Sequence, residues 1–140
     1  MPATRSRLKP RILVAVAAGG GLGAAARDEL ATRFPASAGS FPWTTFWINV
    51  SGSFLLGLLL TFVLERWPPT RFVRPFLAIG ALGAYTTFST FAVETDLLFR
   101  DGYVAVGVVY VLASLAAGCA AVYMGIVAGR SWPALRRSTR

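Results

Sequence analysis

Gly80–Phe91 reads GALGAYTTFSTF, and this stretch decides how the rest of the chain is to be read. It lies inside a long uncharged run, yet it is a poor unbroken helix. Gly80 and Gly83 weaken helix propensity, and Thr86, Thr87 and Thr90 are β-branched. Four hydroxyl residues, Thr86, Thr87, Ser89 and Thr90, crowd into five positions. Phe88 and Phe91 frame them at a spacing that puts both rings on one helical face. Taken singly, each hydroxyl can bond back to the preceding turn and each ring can pack. Taken together they fit a broken helix that presents backbone and hydroxyl groups to an ion pathway. Irregular backbone at membrane depth survives only inside protein or along a water-filled cavity.

The 140 residues are 55% hydrophobic and 14% charged, a charge content well below the soluble average of about 25%. This composition implies an all-α membrane protein with one domain, residues 1–140. The 14 Lys and Arg exceed the 6 Asp and Glu and give a net charge of +8. They gather at the ends and in one loop, a pattern suited to anionic headgroups of the lipid bilayer and to topology signals rather than to nucleic acid. With no histidine and one cysteine, Cys119, the chain has no thiol-based metal site and no histidine acid–base chemistry.

Outward from the opening stretch there are four uncharged runs. Ile12–Ala26 is 15 residues long, short for a span of about 20, so its helix must take in the charged Arg27–Glu29 region or tilt little. The basic Met1–Arg11 segment before it imitates a signal peptide, but the further spans argue for a retained first helix. Phe41–Leu64 has 24 uncharged residues, Pro75–Val93 has 19 and Gly102–Gly129 has 28. The double proline Pro68–Pro69 ends the second helix. The expected spans are 11–34, 41–65, 73–98 and 102–129, with both termini on one side.

Within these spans a few side chains stand out. Asn49 is a primary amide in a 24-residue uncharged run, costly there unless bonded. It can brace the bundle or turn its NH2 donors toward an anion. Arg27 follows Gly23 by one turn and either snorkels to the interface or lines an anion-attracting vestibule. Gly19 and Gly23 share GxxxG spacing, which allows a close helix approach. Tyr110, Ser114 and Gly118 form a polar or small stripe on the fourth span.

Three motifs together carry a resemblance. They are Gly19-Gly20-x-x-Gly23-Ala24-x-x-Arg27, Thr45-x-x-x-Asn49-x-x-Gly52-x-Phe54-x-x-Gly57 and Gly83-x-x-Thr86-Thr87-Phe88-Ser89-Thr90-Phe91. In order and spacing the chain resembles the Fluc (CrcB) fluoride channel family over nearly its whole length. The resemblance implies four transmembrane helices with a broken third helix, an antiparallel dimer and two fluoride pores. It places Asn49, Phe88, Phe91, Ser89, Thr90, Tyr110 and Ser114 along the pore, with Tyr110 and Ser114 as a polar track. It also implies a structural Na⁺ at the dimer centre, held by backbone carbonyls around Gly83 and Thr86. Two positions depart from the family pattern: Asp28 stands where an aromatic is common, and Gly118 where a second track hydroxyl is expected.

The chemistry agrees with that implication. Fluoride is small and strongly hydrated, so a pore must replace its water with Asn NH2 and Ser or Thr hydroxyl donors. Ring edges of aromatic side chains add weak attraction. No carboxylate lies inside the four uncharged runs, whereas a proton-coupled carrier generally needs a titratable group in the membrane. Glu94 at the end of the third run is the near candidate. A small proton-coupled drug or cation exporter of four helices is the alternative, but it needs an acid in its first span, which Ile12–Ala26 lacks. A non-transporting membrane subunit leaves the hydroxyl cluster without a use.

Charge also bears on orientation. Arg5, Arg7, Lys9, Arg11, Arg66, Arg71, Arg74, Arg130, Arg136, Arg137 and Arg140 fall on the side of the termini, and Arg27, Arg33 and Arg100 on the other. That bias predicts cytoplasmic termini. The implied antiparallel pair then requires either a homologous paired subunit of reversed bias or insertion of this chain both ways.

Overall fold

The computed structural model describes residues 10–63 and 72–131, all of them helical or in short connections. The double-proline turn, most of the second loop's arginines and both basic tails lie outside the described residues. Helix α1 is Pro10–Arg33, α2 is Trp43–Thr61, and α5 is Val104–Ser131. Between α2 and α5 the chain runs through a π-helical segment Arg74–Leu82, a short α3 Gly83–Tyr85 and then α4 Phe88–Arg100. Among the described residues, three helical stretches are long and apolar enough to cross a membrane: Trp43–Thr61, Arg74–Arg100 and Val104–Ser131. Helix α1 is long enough, but Arg11, Arg27, Asp28, Glu29 and Arg33 crowd its ends.

Glycines set how the helices meet. The buried residues of α1 are Gly19 and Gly23. A β-carbon at Gly19 would overlap the Phe76 carbonyl oxygen, and one at Gly23 the Ala81 carbonyl oxygen. The GxxxG face therefore packs backbone to backbone against the π-helical segment. On the other side of the bundle, α2 lies along α5. Gly57 faces the Val122 carbonyl and Gly125 faces the Phe54 carbonyl. Contacts advance together along both helices, from Ser53 beside Gly118 to Thr61 beside Gly129, so α2 and α5 run in the same direction.

The core sits where α2, α4 and α5 converge. Phe46, Leu98 and Tyr110 are buried there, with Phe41, Val50 and Phe91 packed around them. Phe41 meets Tyr110 edge to face at 5.2 Å between ring centroids, a favoured aromatic geometry. Gly39 turns the α1–α2 connection at φ +73°, and its bare Cα rests on the Tyr103 ring, where a β-carbon would overlap it. Leu112, Leu115, Tyr123, Met124 and Val127 on α5, like Leu13 and Val14 on α1, are exposed. Such outward apolar faces suit a lipid surround.

Candidate functional site

The third span is interrupted where the threonines fall. Tyr85 closes α3, Thr86 takes φ −71° and ψ 150°, Thr87 takes φ −142° and ψ 115°, and α4 begins at Phe88. β-Branched side chains accept this extended backbone readily. Thr86 Oγ1 donates to the Leu82 carbonyl at 3.0 Å and satisfies the outgoing turn. Thr87 is the N-cap of α4: its Oγ1 accepts from the Thr90 backbone N–H at 3.1 Å. The Thr87 hydroxyl also donates to Thr90 Oγ1 at 2.9 Å and lies 3.3 Å from Ser89 Oγ. Part of the hydroxyl cluster thus shapes the backbone itself.

Asn49 braces the interruption from α2. Its Nδ2 donates to the Thr87 carbonyl at 3.0 Å, and its Oδ1 accepts from the Thr87 N–H at 2.9 Å. A primary amide has two N–H donors, so one remains beyond the Thr87 bond. The sequence left a brace and an anion donor as alternatives for Asn49, and the geometry has room for both. Because Thr87 N–H turns to Asn49, it is diverted from the Gly83 carbonyl, its partner in an uninterrupted helix.

A cavity of about 330 Å³ opens between α2, the interruption and α5. It brings together Asn49, Gly83, Thr86, Phe88, Phe91 and Ser114, along with Ser53 and Gly118. No charged side chain lines it among the described residues. The Phe88 and Phe91 ring centroids are 5.9 Å apart, and Phe88 is 80% exposed. Ser114 Oγ is buried without a hydrogen-bond partner, which is uncommon for a hydroxyl in a native interior. One turn further, Gly118 lies beside Ser53 Oγ, which a β-carbon there would meet at an ordinary contact distance of 3.8 Å.

Other residues expected at the site lie elsewhere. Ser89 and Thr90 are exposed on the first turn of α4 and do not line this cavity. Arg27 is half-buried on α1, away from the cavity, and pairs with neither Asp28 nor Glu29; the Glu29 carboxylate pairs with Arg33 at 2.6 Å. Tyr110 is fully buried. Its ring packs on Phe91 at 5.0 Å, and its hydroxyl donates to Glu94 Oε2 at 2.7 Å. The other carboxylate oxygen, Glu94 Oε1, accepts from Thr45 Oγ1 at 2.8 Å. Sequence reasoning treated Glu94 only as a candidate acid and missed this network. Its signal was present: Glu94 follows Phe91 by three residues and so shares its helical face.

Residues 14–126 match the family model described as "CrcB-like protein, Camphor Resistance (CrcB)". The chain is 55% identical to a Streptomyces avermitilis protein named "Fluoride-specific ion channel FluC 3", over 97% of this chain and 66% of that protein. It is 41% identical to "Fluoride-specific ion channel FluC 2" of Nocardia farcinica, over 92% of each. A second Streptomyces avermitilis protein, "Fluoride-specific ion channel FluC 2", is 42% identical over 74% of this chain and 66% of its own length.

Proposed function

This chain belongs to the CrcB-like family, and from that membership we propose that it is a fluoride-specific channel, passively exporting F⁻ across the cell membrane in which it is a multi-pass protein. The observation that carries the reading is the Ser114 hydroxyl, buried without a partner in an uncharged cavity that also holds the Asn49 amide. An anion or its water entering there meets hydroxyl and amide donors and no competing carboxylate. Fluoride, with its high charge density, gains most from such donors at short range. The Phe88 and Phe91 ring edges add a weakly positive surface along the same wall. A proton-coupled exporter is disfavoured, because Glu94 lies outside the cavity and both its oxygens already accept hydroxyl protons. Fluoride efflux from proteoliposomes holding this chain alone and together with a homologous paired subunit, with chloride as control, tests the assignment; efflux of neither ion from both preparations, or of both ions equally, would reject it.

The open side of the cavity and the exposed Phe88 call for a second subunit. In this reading it packs antiparallel against the interrupted span and completes two pores. Na⁺ fits at their meeting point. The Gly83 carbonyl has lost its helical donor to Asn49, and Thr86 is extended, so two such stretches would offer oxygen ligands of the kind that unwound helices present to sodium. The ion would join the subunits, with no part in conduction. Arg27, half-buried and without an ion-pair partner among the described residues, would attract fluoride to the vestibule.

Replacing Phe88 or Phe91 with isoleucine keeps apolar bulk and removes the ring edge. Fluoride efflux should fall by about tenfold or more, the effect of roughly 1.4 kcal/mol at the barrier, while the dimer elutes unchanged by size exclusion. Normal efflux would make the rings ordinary packing. For orientation, the charge bias toward the terminal side predicts that a C-terminal reporter fusion expressed alone reads cytoplasmic. Fluoride flux would then require a homologous paired subunit of opposite orientation. Equal cytoplasmic and external signals would instead establish a homodimer of dual topology.

A further inference from the structure

We propose that Tyr85 and Ser51 form a second clamp on the interrupted span and act as a positioning pair for conduction; this inference rests on the channel reading above. The Tyr85 and Ser51 hydroxyl oxygens are 3.0 Å apart. Ser51 Oγ also lies 2.7 Å from the Trp47 carbonyl and 3.2 Å from that of Ile48. A serine hydroxyl has one proton, and the backbone carbonyl of Trp47 takes it. Tyr85 is therefore the donor to Ser51.

Placement makes this bond more than a surface contact. Tyr85 is the last residue of α3, immediately before the extended pair Thr86–Thr87. Helix α2 touches three successive residues of the interruption from positions within one turn. Ser51 accepts from Tyr85, Gly52 receives Thr86, and Asn49 binds the backbone of Thr87. A β-carbon at Gly52 would overlap Thr86 Cγ2 and sit 3.3 Å from the Tyr85 ring. Asn49 thus anchors the incoming end of α4, and Ser51 anchors the outgoing end of α3. With one anchor the extended pair can pivot; with two its carbonyls and threonine side chains keep one orientation.

The same strip is a wall. On one side is the cavity with Asn49, Thr86 and Ser114. On the other is a second cavity of about 400 Å³, bordered by Trp47, Ile48, Ser51 and Tyr85. Ser51 and Tyr85 border the second cavity, Gly52 and Thr86 the first. Neighbouring residues of the same two elements therefore line different cavities, and the Tyr85 hydroxyl is the polar latch between those elements. Neither residue lines the cavity that would carry the ion, so their effect on conduction would pass through the backbone they position.

The test is a double-mutant cycle in proteoliposomes. Tyr85→Phe keeps the ring and removes the donor; Ser51→Ala removes the acceptor; Ser51→Thr keeps it. Each of the first two should slow fluoride efflux about fivefold, as expected for one lost hydrogen bond. The double variant should be no slower than either single one, and Ser51→Thr should conduct like wild type. Thermal stability in detergent should change little across the set. Unchanged efflux in Tyr85→Phe, additive losses in the double variant, or losses that track stability would each overturn the clamp while wild type still conducts fluoride. No fluoride efflux from wild type, either alone or with a homologous paired subunit, would overturn the channel reading, and this proposal with it.

Discussion

Asn49→Asp should reduce fluoride efflux to background while the subunit remains folded. The present amide donates to the Thr87 carbonyl at 3.0 Å and accepts from the Thr87 N–H at 2.9 Å. An ionised aspartate keeps the acceptor but turns an oxygen toward a carbonyl oxygen where a donor stood. It also places a fixed negative charge in a cavity that has none among the described residues. Two like unit charges 4 Å apart repel by about 4 kcal/mol at an effective dielectric of 20. That corresponds to roughly a thousandfold loss of fluoride occupancy at the site. Should the acid stay protonated, it offers one donor where the amide offered two, so a bond to Thr87 or a donor to the anion is lost. The measurement is efflux per folded protein, with size-exclusion elution as the check on assembly. Wild-type flux through well-folded Asn49→Asp protein would remove Asn49 from the pathway.

Gly125→Val should prevent stable packing of α2 on α5. A β-carbon at Gly125 would overlap the Phe54 carbonyl oxygen and lie 2.8 Å from the Leu58 backbone nitrogen. Both neighbours are main chain, so no rotamer change relieves the clash and the helices themselves must part. Overpacking of this kind costs about 3 kcal/mol or more when the surroundings cannot yield. A large fraction of a typical stability of roughly 5–15 kcal/mol is then gone. Gly21→Ala is the matched control. Nothing lies within 4 Å of a β-carbon there, and alanine improves helix propensity by about 1 kcal/mol. Yield of monodisperse protein and melting temperature in detergent should collapse for Gly125→Val and hold or rise for Gly21→Ala. Equal behaviour of the two would mean that α2 and α5 are not packed backbone to backbone.

Much of this molecule is written locally. Long uncharged runs, free of acids and bases, leave a chain few options besides helices in a membrane, because every backbone polar group must then bond within its own segment. That is why an all-helical membrane protein could be read from composition and spacing; of the four spans expected, three stretches among the described residues are long and apolar enough to cross, while charges crowd the ends of α1. Motif order carried the family for the same reason: it is a property of the chain alone. Gly19 and Gly23 announced a close approach by their spacing, although not that the π-helical segment would be the neighbour.

Tertiary structure decided what the polar groups are for. The sequence shows that Asn49 must find a partner; it does not show that the partner is the backbone of Thr87, 38 residues away. Tyr110 shares a helical stripe with Ser114, yet its hydroxyl goes to Glu94 while Ser114 Oγ is left without a partner. Gly125 has no periodic signature that distinguishes it from Gly118, but a β-carbon at the first would overlap main chain and one at the second would only touch the Ser53 side chain. These differences depend on the distance and rotation between helices, which the close glycine contacts set. Hydropathy and a period of 3.6 residues specify each helix and its faces; they contain no term for which face of another helix arrives opposite.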